Sequence, residues 1–226
     1  MEMTDSFVFW KYLHVMMFVG WVGADMGVFL SCKKACDSSL PFETRMTLLH
    51  IALRIELIPR TMWKAALPLG VMLSMEMGLL NITNTELALM WVFSIIWWAI
   101  SMTGAIYYDK PWGQKVAHFA NWIIGAVGIG LMVIAITSAM GMGPFETTGT
   151  WLLWKVGLYG LINLTCLWIV VAFDPMAGAF MRLAVEGSTP EIEGLVKRIF
   201  NISVYPIWST YFLVVVVAFI ATTKFI

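Results

Sequence analysis

FWKYLHVMMFVGWVGADMGVFL, residues 9–30, is apolar over enough length to cross a bilayer, yet it carries two ionisable groups, His14 and Asp25. A hydrocarbon core about 30 Å thick takes roughly 20 helical residues at a rise of about 1.5 Å each. The stretch therefore reads as a membrane span, and its imidazole needs an explanation. Positions 14, 18, 21 and 25 fall on one stripe of a helix, so His14, Phe18, Trp21 and Asp25 share a face. Ionisable groups are costly in lipid, so that face is expected to point into a bundle or toward a cofactor. Gly20, Gly23 and Gly27 lie mostly on other faces, where a neighbouring helix or a flat ligand can approach closely. A hydrogen-bonded core histidine with packing glycines is the plainer alternative.

The whole chain supports the membrane reading. Of its 226 residues 60% are hydrophobic and only 12% charged, with a mean hydropathy of +0.83, too little charge to cover the surface of a soluble domain. Formal net charge is zero, which excludes a basic surface for nucleic acid and leaves the lipid bilayer as the first partner. The first span opens on acidic residues, Glu2 and Asp5, and outruns the apolar core of a secretory signal, so it reads as retained. Cys32, Cys36 and Cys166 form no even framework.

Six stretches qualify as spans: about 7–30, 60–80, 86–107, 115–140, 150–172 and 207–223. Barrel strands would be shorter and alternating, so the expected fold is all-α, a single polytopic bundle. Residues 43–58 and 189–205 read as half-polar helices that run into Pro59 and Pro206, each expected to kink or interrupt its helix. Thr189 followed by Pro190 is a favourable helix start.

With six spans, one side holds only Lys11, Lys155 and Lys224. The other holds Lys33, Lys34, Arg45, Arg54, Arg60, Lys64, Lys110, Lys115, Arg182, Lys197 and Arg198. The positive-inside rule then places both termini on the non-cytoplasmic side, and a bacterial inner membrane is the expected location.

An internal echo links two spans. FWKYLH (9–14) and TWLLWK (150–155) each put a tryptophan four residues before an ionisable one, Trp10 before His14 and Trp151 before Lys155. Each leads through a polar loop, a half-polar helix and a proline to a further span. Repeat-like halves of about 7–80 and 150–223, with 86–140 inserted, would set His14 and Lys155 opposite each other at similar depth. Lys155 reads either as a lysine snorkelling to the interface or as an amine able to donate a lone pair to a metal. Two nitrogen bases on opposed helices suit axial ligation of a haem iron, with Trp10, Phe18, Trp21, Trp151 and Tyr159 as walls. His50 and His118 are candidates for a second haem or plain interfacial histidines. Glu76 is a further intramembrane acid able to line a proton path. The 17 methionines invite a copper reading, but Met16, Met17, Met72, Met75 and Met77 sit among ordinary lipid-facing residues.

WKYLHVMMFVGWVGADMG resembles the first helix of the HemJ-type protoporphyrinogen oxidases and their CopD-like relatives. RIELIPRTMWKAALPLGV is similar to that family's second helix, WLLWKVGLYG to its lysine-bearing third, and RIFNISVYPIW to the entry of its last. The resemblance implies haem b held by His14 and Lys155, with Arg54 contacting substrate or propionate, and an oxidoreductase passing electrons between a quinone or porphyrin substrate and haem. Two features depart from the family. Residues 86–140 add two spans, and NLTCLWIVVAFDP stands where the family carries a histidine and Gly-Arg. Two other readings stay open: a non-catalytic electron-transfer or accessory subunit of a larger complex or homo-oligomer, and CopD-like copper handling.

Overall fold

The computed structural model describes residues 5–145 and 150–224; Glu2 lies outside them. Among the described residues the chain forms eight α-helices: α1 Asp5–Ala35, α2 Phe42–Ile55, α3 Leu57–Glu76, α4 Asn84–Ile106, α5 Pro111–Ala139, α6 Thr150–Phe173, α7 Met176–Glu186 and α8 Pro190–Thr223. No strand is present among them, and one isolated bridge pairs Leu80 with Phe145. The all-helical expectation therefore holds.

Five segments are long and apolar enough to cross a membrane: α1, α4, α5, α8 and Thr150–Glu186, which joins α6 to α7. The sixth expected span, 60–80, corresponds to α3, which is not among them. Its first half carries Arg60 and Lys64, and these dilute its apolar character. At 20 residues it is still about 30 Å long. It is flanked by α1 and α4 and buries Trp63, Lys64, Leu67, Pro68 and Leu73, so its neighbours shield what lipid would reject.

The bundle has two chemically distinct ends. At the first, Ser6 donates to Glu76 (2.7 Å), and Lys224 lies over the Trp151 ring at 5.4 Å. At the second, basic end, α2 and α7 pack beneath the long helices. Principal contacts run α1–α3, α3–α4, α4–α5, α5–α6 and α6–α8. Phe29 closes the ring by stacking on Phe200 and meeting Trp208 edge-on. The central core draws Met17 and Trp21 from α1, Trp63 and Leu67 from α3, Trp97 from α4, Ile124 from α5, Ile162 from α6 and Val214 from α8.

Local chemistry accounts for the joints. Pro59 has no N–H to give to Ile55, and the helix breaks at Glu56. Pro206 does not interrupt α8, which runs through it as one 34-residue helix. Buried contacts on both sides hold it: Val196, Ile199 and Phe200 against the α7 layer, and the Thr210 hydroxyl donating to Thr165 (2.8 Å) on α6. Thr189 caps α8 by accepting from the Ile192 N–H, and Pro190 occupies its first turn. The crossing of α5 and α6 depends on Gly128 and Gly160, because a Cβ at Gly160 would lie 2.6 Å from the Gly128 carbonyl. At the basic end Tyr108 donates to Asp174, and burial together with that carboxylate pushes the phenol up to about 12.

Arg45 fastens the basic end. It is 2% exposed, donates from Nε to the Ala35 carbonyl (2.8 Å), and forks onto Glu193 at 2.7 and 3.0 Å. Its guanidinium lies 5.5 Å from the Phe180 ring, so one side chain joins α1, α2, α7 and α8. Removing one partner of a buried pair costs about 3–5 kcal/mol, because the other charge is left uncompensated. Glu193→Ala is therefore expected to lower the unfolding midpoint of the purified protein in detergent by several degrees. An unchanged midpoint in a thermal scan would show that the pair does not hold this end.

Candidate functional site

A cavity of about 500 Å³ lies between α1, α3, α6 and α8 toward the end of the bundle that holds Asp5. Its wall includes His14, Phe18 and Trp21 of α1, Leu67, Gly70 and Ser74 of α3, and Trp151, Lys155 and Tyr159 of α6. Val214 and Val217 of α8 complete it, and Met77 and Thr222 carry it toward that end.

His14 Nε2 and Lys155 Nζ stand 3.5 Å apart, on helices separated by 141 positions in sequence. The other imidazole nitrogen, Nδ1, is buried without a hydrogen-bond partner among the described residues. Gly70 faces the ring, since a Cβ built there would meet His14 Cε1 at 3.9 Å. The absence of a side chain at Gly70 keeps that part of the wall flat, so a larger residue would intrude toward the imidazole. Tyr159 turns its hydroxyl away to donate to the Trp63 carbonyl (2.7 Å), while its ring stays in the cavity wall. The polar groups of the pocket are thus few and concentrated, two nitrogen bases in an aromatic and aliphatic shell.

The other candidates are placed as follows. Trp21 lines the cavity and is 8% exposed. Trp10 stands outside the wall, packed between Phe9 and Trp91. Arg54 and His50 are exposed on α2, and His118 is exposed near the start of α5. Their helices have different principal neighbours, α1 and α3 for α2, α4 and α6 for α5. Glu76 is held by Ser6, away from the two bases. Asp25 is half-buried lower on α1, beside Tyr211. Among the described residues no group of three or more His, Cys, Asp or Glu side chains gathers to hold a metal ion.

Sequence reasoning set Lys64 at the basic membrane edge and missed its burial. Lys64 is 1% exposed, with Nζ 4.2 Å from the Trp63 ring centre and 5.3 Å from that of Trp97. The available signal was the spacing Glu56, Arg60, Lys64, which places three charged residues on one face of adjoining helical segments.

The chain matches no protein-family model, no curated protein and no solved structure.

The adjacency of the two bases can be tested without any ligand. In a chain with Cys32, Cys36 and Cys166 changed to serine, cysteines placed at 14 and 155 are expected to be joined by a short bifunctional thiol reagent. Intramolecular linkage would appear by mass spectrometry after proteolysis. Its absence, with both thiols reacting singly, would sink the placement.

Proposed function

We propose that this protein binds haem b in the cavity between His14 and Lys155 and works as a membrane redox protein. The observation that carries this reading is the pair of nitrogen bases 3.5 Å apart in the wall of a cavity of about 500 Å³. His14 through Nε2 and Lys155 through Nζ are the two side chains that would hold the iron of such a group. The flat face at Gly70 and the aromatic wall fit a planar, largely apolar group.

When bound, haem supplies one-electron redox chemistry. The chain's own side chains then have distinct tasks. His14 and Lys155 would each donate a lone pair, which requires neutral imidazole and neutral amine. Phe18, Trp21, Trp151 and Tyr159 would line the faces and edges of the haem. A porphyrinogen or quinol reaching the cavity from the bilayer is the substrate class that suits its apolar lining. Positive-inside bias orients the basic end to the cytoplasm, with six passages in which α3 is the polar, inner one. A bacterial inner membrane is the setting we favour. The exposed tryptophans, Trp122, Trp154 and Trp208 among them, favour a second reading, an electron-transfer subunit seated in a larger membrane complex.

The reduced-minus-oxidised absorption spectrum of the purified protein tests the first reading. Wild type expressed with ample haem is expected to show b-type bands, and His14→Ala and Lys155→Ala to lose roughly tenfold or more of the extractable haem. A colourless wild type overturns the haem reading, whereas full haem retention in both variants overturns the ligand assignment.

A further inference from the structure

Below the cavity, toward the basic end, the interior carries charged and polar side chains. The side chains of Glu56 and Arg60 pair, with Arg60 Nε donating to Glu56 at 3.0 Å, and Arg60 Nη1 also donates to Ser101 on α4 (3.2 Å). One turn further on, Lys64 Nζ reaches the Arg60 carbonyl at 3.5 Å. No carboxylate lies within 4.0 Å of Nζ among the described residues, although the ammonium group has three protons to place. The adjacent residue, Trp63, accepts at its carbonyl from Tyr159, and Asn163 donates to the Tyr159 carbonyl (2.7 Å). Tyr159 is itself part of the cavity wall.

Around this line of polar groups lie buried atoms without protein partners: the indole N–H groups of Trp63 and Trp97 and the Asn163 carbonyl oxygen. Buried polar atoms that the protein leaves unpaired are where ordered water resides. Lipid on the outside of the ring strengthens the argument, since no other solvent can satisfy them. The groups that face Lys64 are Arg60 and Glu56 along its own stripe and Cys166 from α6. Asp25 of α1 stands behind Cys166, and α4 contributes Trp97 and Ser101, which do not titrate.

We propose that Lys64 is the relay group of a hydrated proton path running from the Glu56 edge of α3 to the Tyr159 wall of the cavity. Glu56 is partly open at the basic end, its side chain 28% exposed. Lys64 lies about 12 Å further in at the helical rise. The cavity continues to Met77 and Thr222 at the opposite end, so a path that reaches its Tyr159 wall would open across the bundle. A proton arriving through cavity water adds to the Nζ lone pair and gives the ammonium. The ammonium releases a proton to water at the Glu56 edge and returns to the amine, so nothing is consumed. This proposal does not rest on what the cavity binds.

The test uses the full chain, as purified, in vesicles loaded with the pH-sensitive dye pyranine. Valinomycin and potassium clamp the membrane potential, and an external acid step is followed over time. Wild type is expected to acidify the lumen faster than protein-free vesicles. Lys64→Met should cut the protein-dependent rate by about tenfold or more, as expected for removing a positioned proton carrier. Lys197→Met, at an exposed position on α8, should leave the rate unchanged. A wild-type rate equal to that of empty vesicles, or an undiminished rate in Lys64→Met, overturns the proposal. Where Lys64→Met does not fold, deuterium exchange at the indole N–H groups of Trp63 and Trp97 in wild type decides. Exchange within minutes is the hydrated path; protection for days overturns it. A colourless protein that conducts protons would retain this inference while losing the haem reading.

Discussion

Lipid cannot solvate an ionisable side chain, and the arrangement of this bundle follows from that constraint. Several ionisable groups in the membrane-spanning helices turn inward, and each of these finds a particular surrounding. His14 meets Lys155, Arg60 meets Glu56 and Ser101, and Lys64 lies against two indole faces. Arg45 is secured by Glu193 and the Phe180 ring at the basic end. Helix α3 carries Arg60 and Lys64 in its first half and is correspondingly poorly suited to face lipid there. Its apolar neighbours α1 and α4 make that polarity tolerable, so the polar helix and the helices that flank it depend on each other.

The cavity survives in a close-packed protein because its walls cannot collapse onto one another. Rings at Phe18, Trp21, Trp151 and Tyr159 are too rigid to fold into the space, while Gly70 sets the α3 wall back from His14. Elsewhere glycines do the opposite. At Gly128 and Gly160 they let α5 and α6 approach until no side chain fits between, which anchors the helix that carries Lys155. One residue type thus opens the site on one side and stiffens its support on the other.

What could be read from the sequence was whatever is local or periodic. Apolar length gave the helices, Thr189-Pro190 gave the start of α8, and Pro59 gave the break that separates α2 from α3. The two bases were legible because Trp10 and Trp151 mark the same offset before His14 and Lys155. Other features depend on distant partners. Arg45 and Glu193 are 148 positions apart, and neither segment signals the other. Helix α7 was hidden within a loop because its short apolar face, Met176, Ala179, Phe180 and Leu183, makes sense only against α8. Lys64 looked like one more cation at a basic membrane edge. Its burial emerges only when Trp97 arrives from α4 to cover it.

Helix α3 also explains why the cavity and the charged interior remain separate regions. Its charged half, through Lys64, and its cavity half, from Ala66 through Ser74, meet near Pro68. Proline at that position has no N–H for the Lys64 carbonyl, so the helix ladder is interrupted where the two environments join. A carbonyl relieved of its helical partner needs another donor, and the nearby unpaired groups already call for water. The same proline that weakens α3 as a regular helix therefore favours hydration at the point where a proton would pass from one region to the other. An uninterrupted apolar helix would satisfy the backbone better and would leave the two regions without a shared polar boundary.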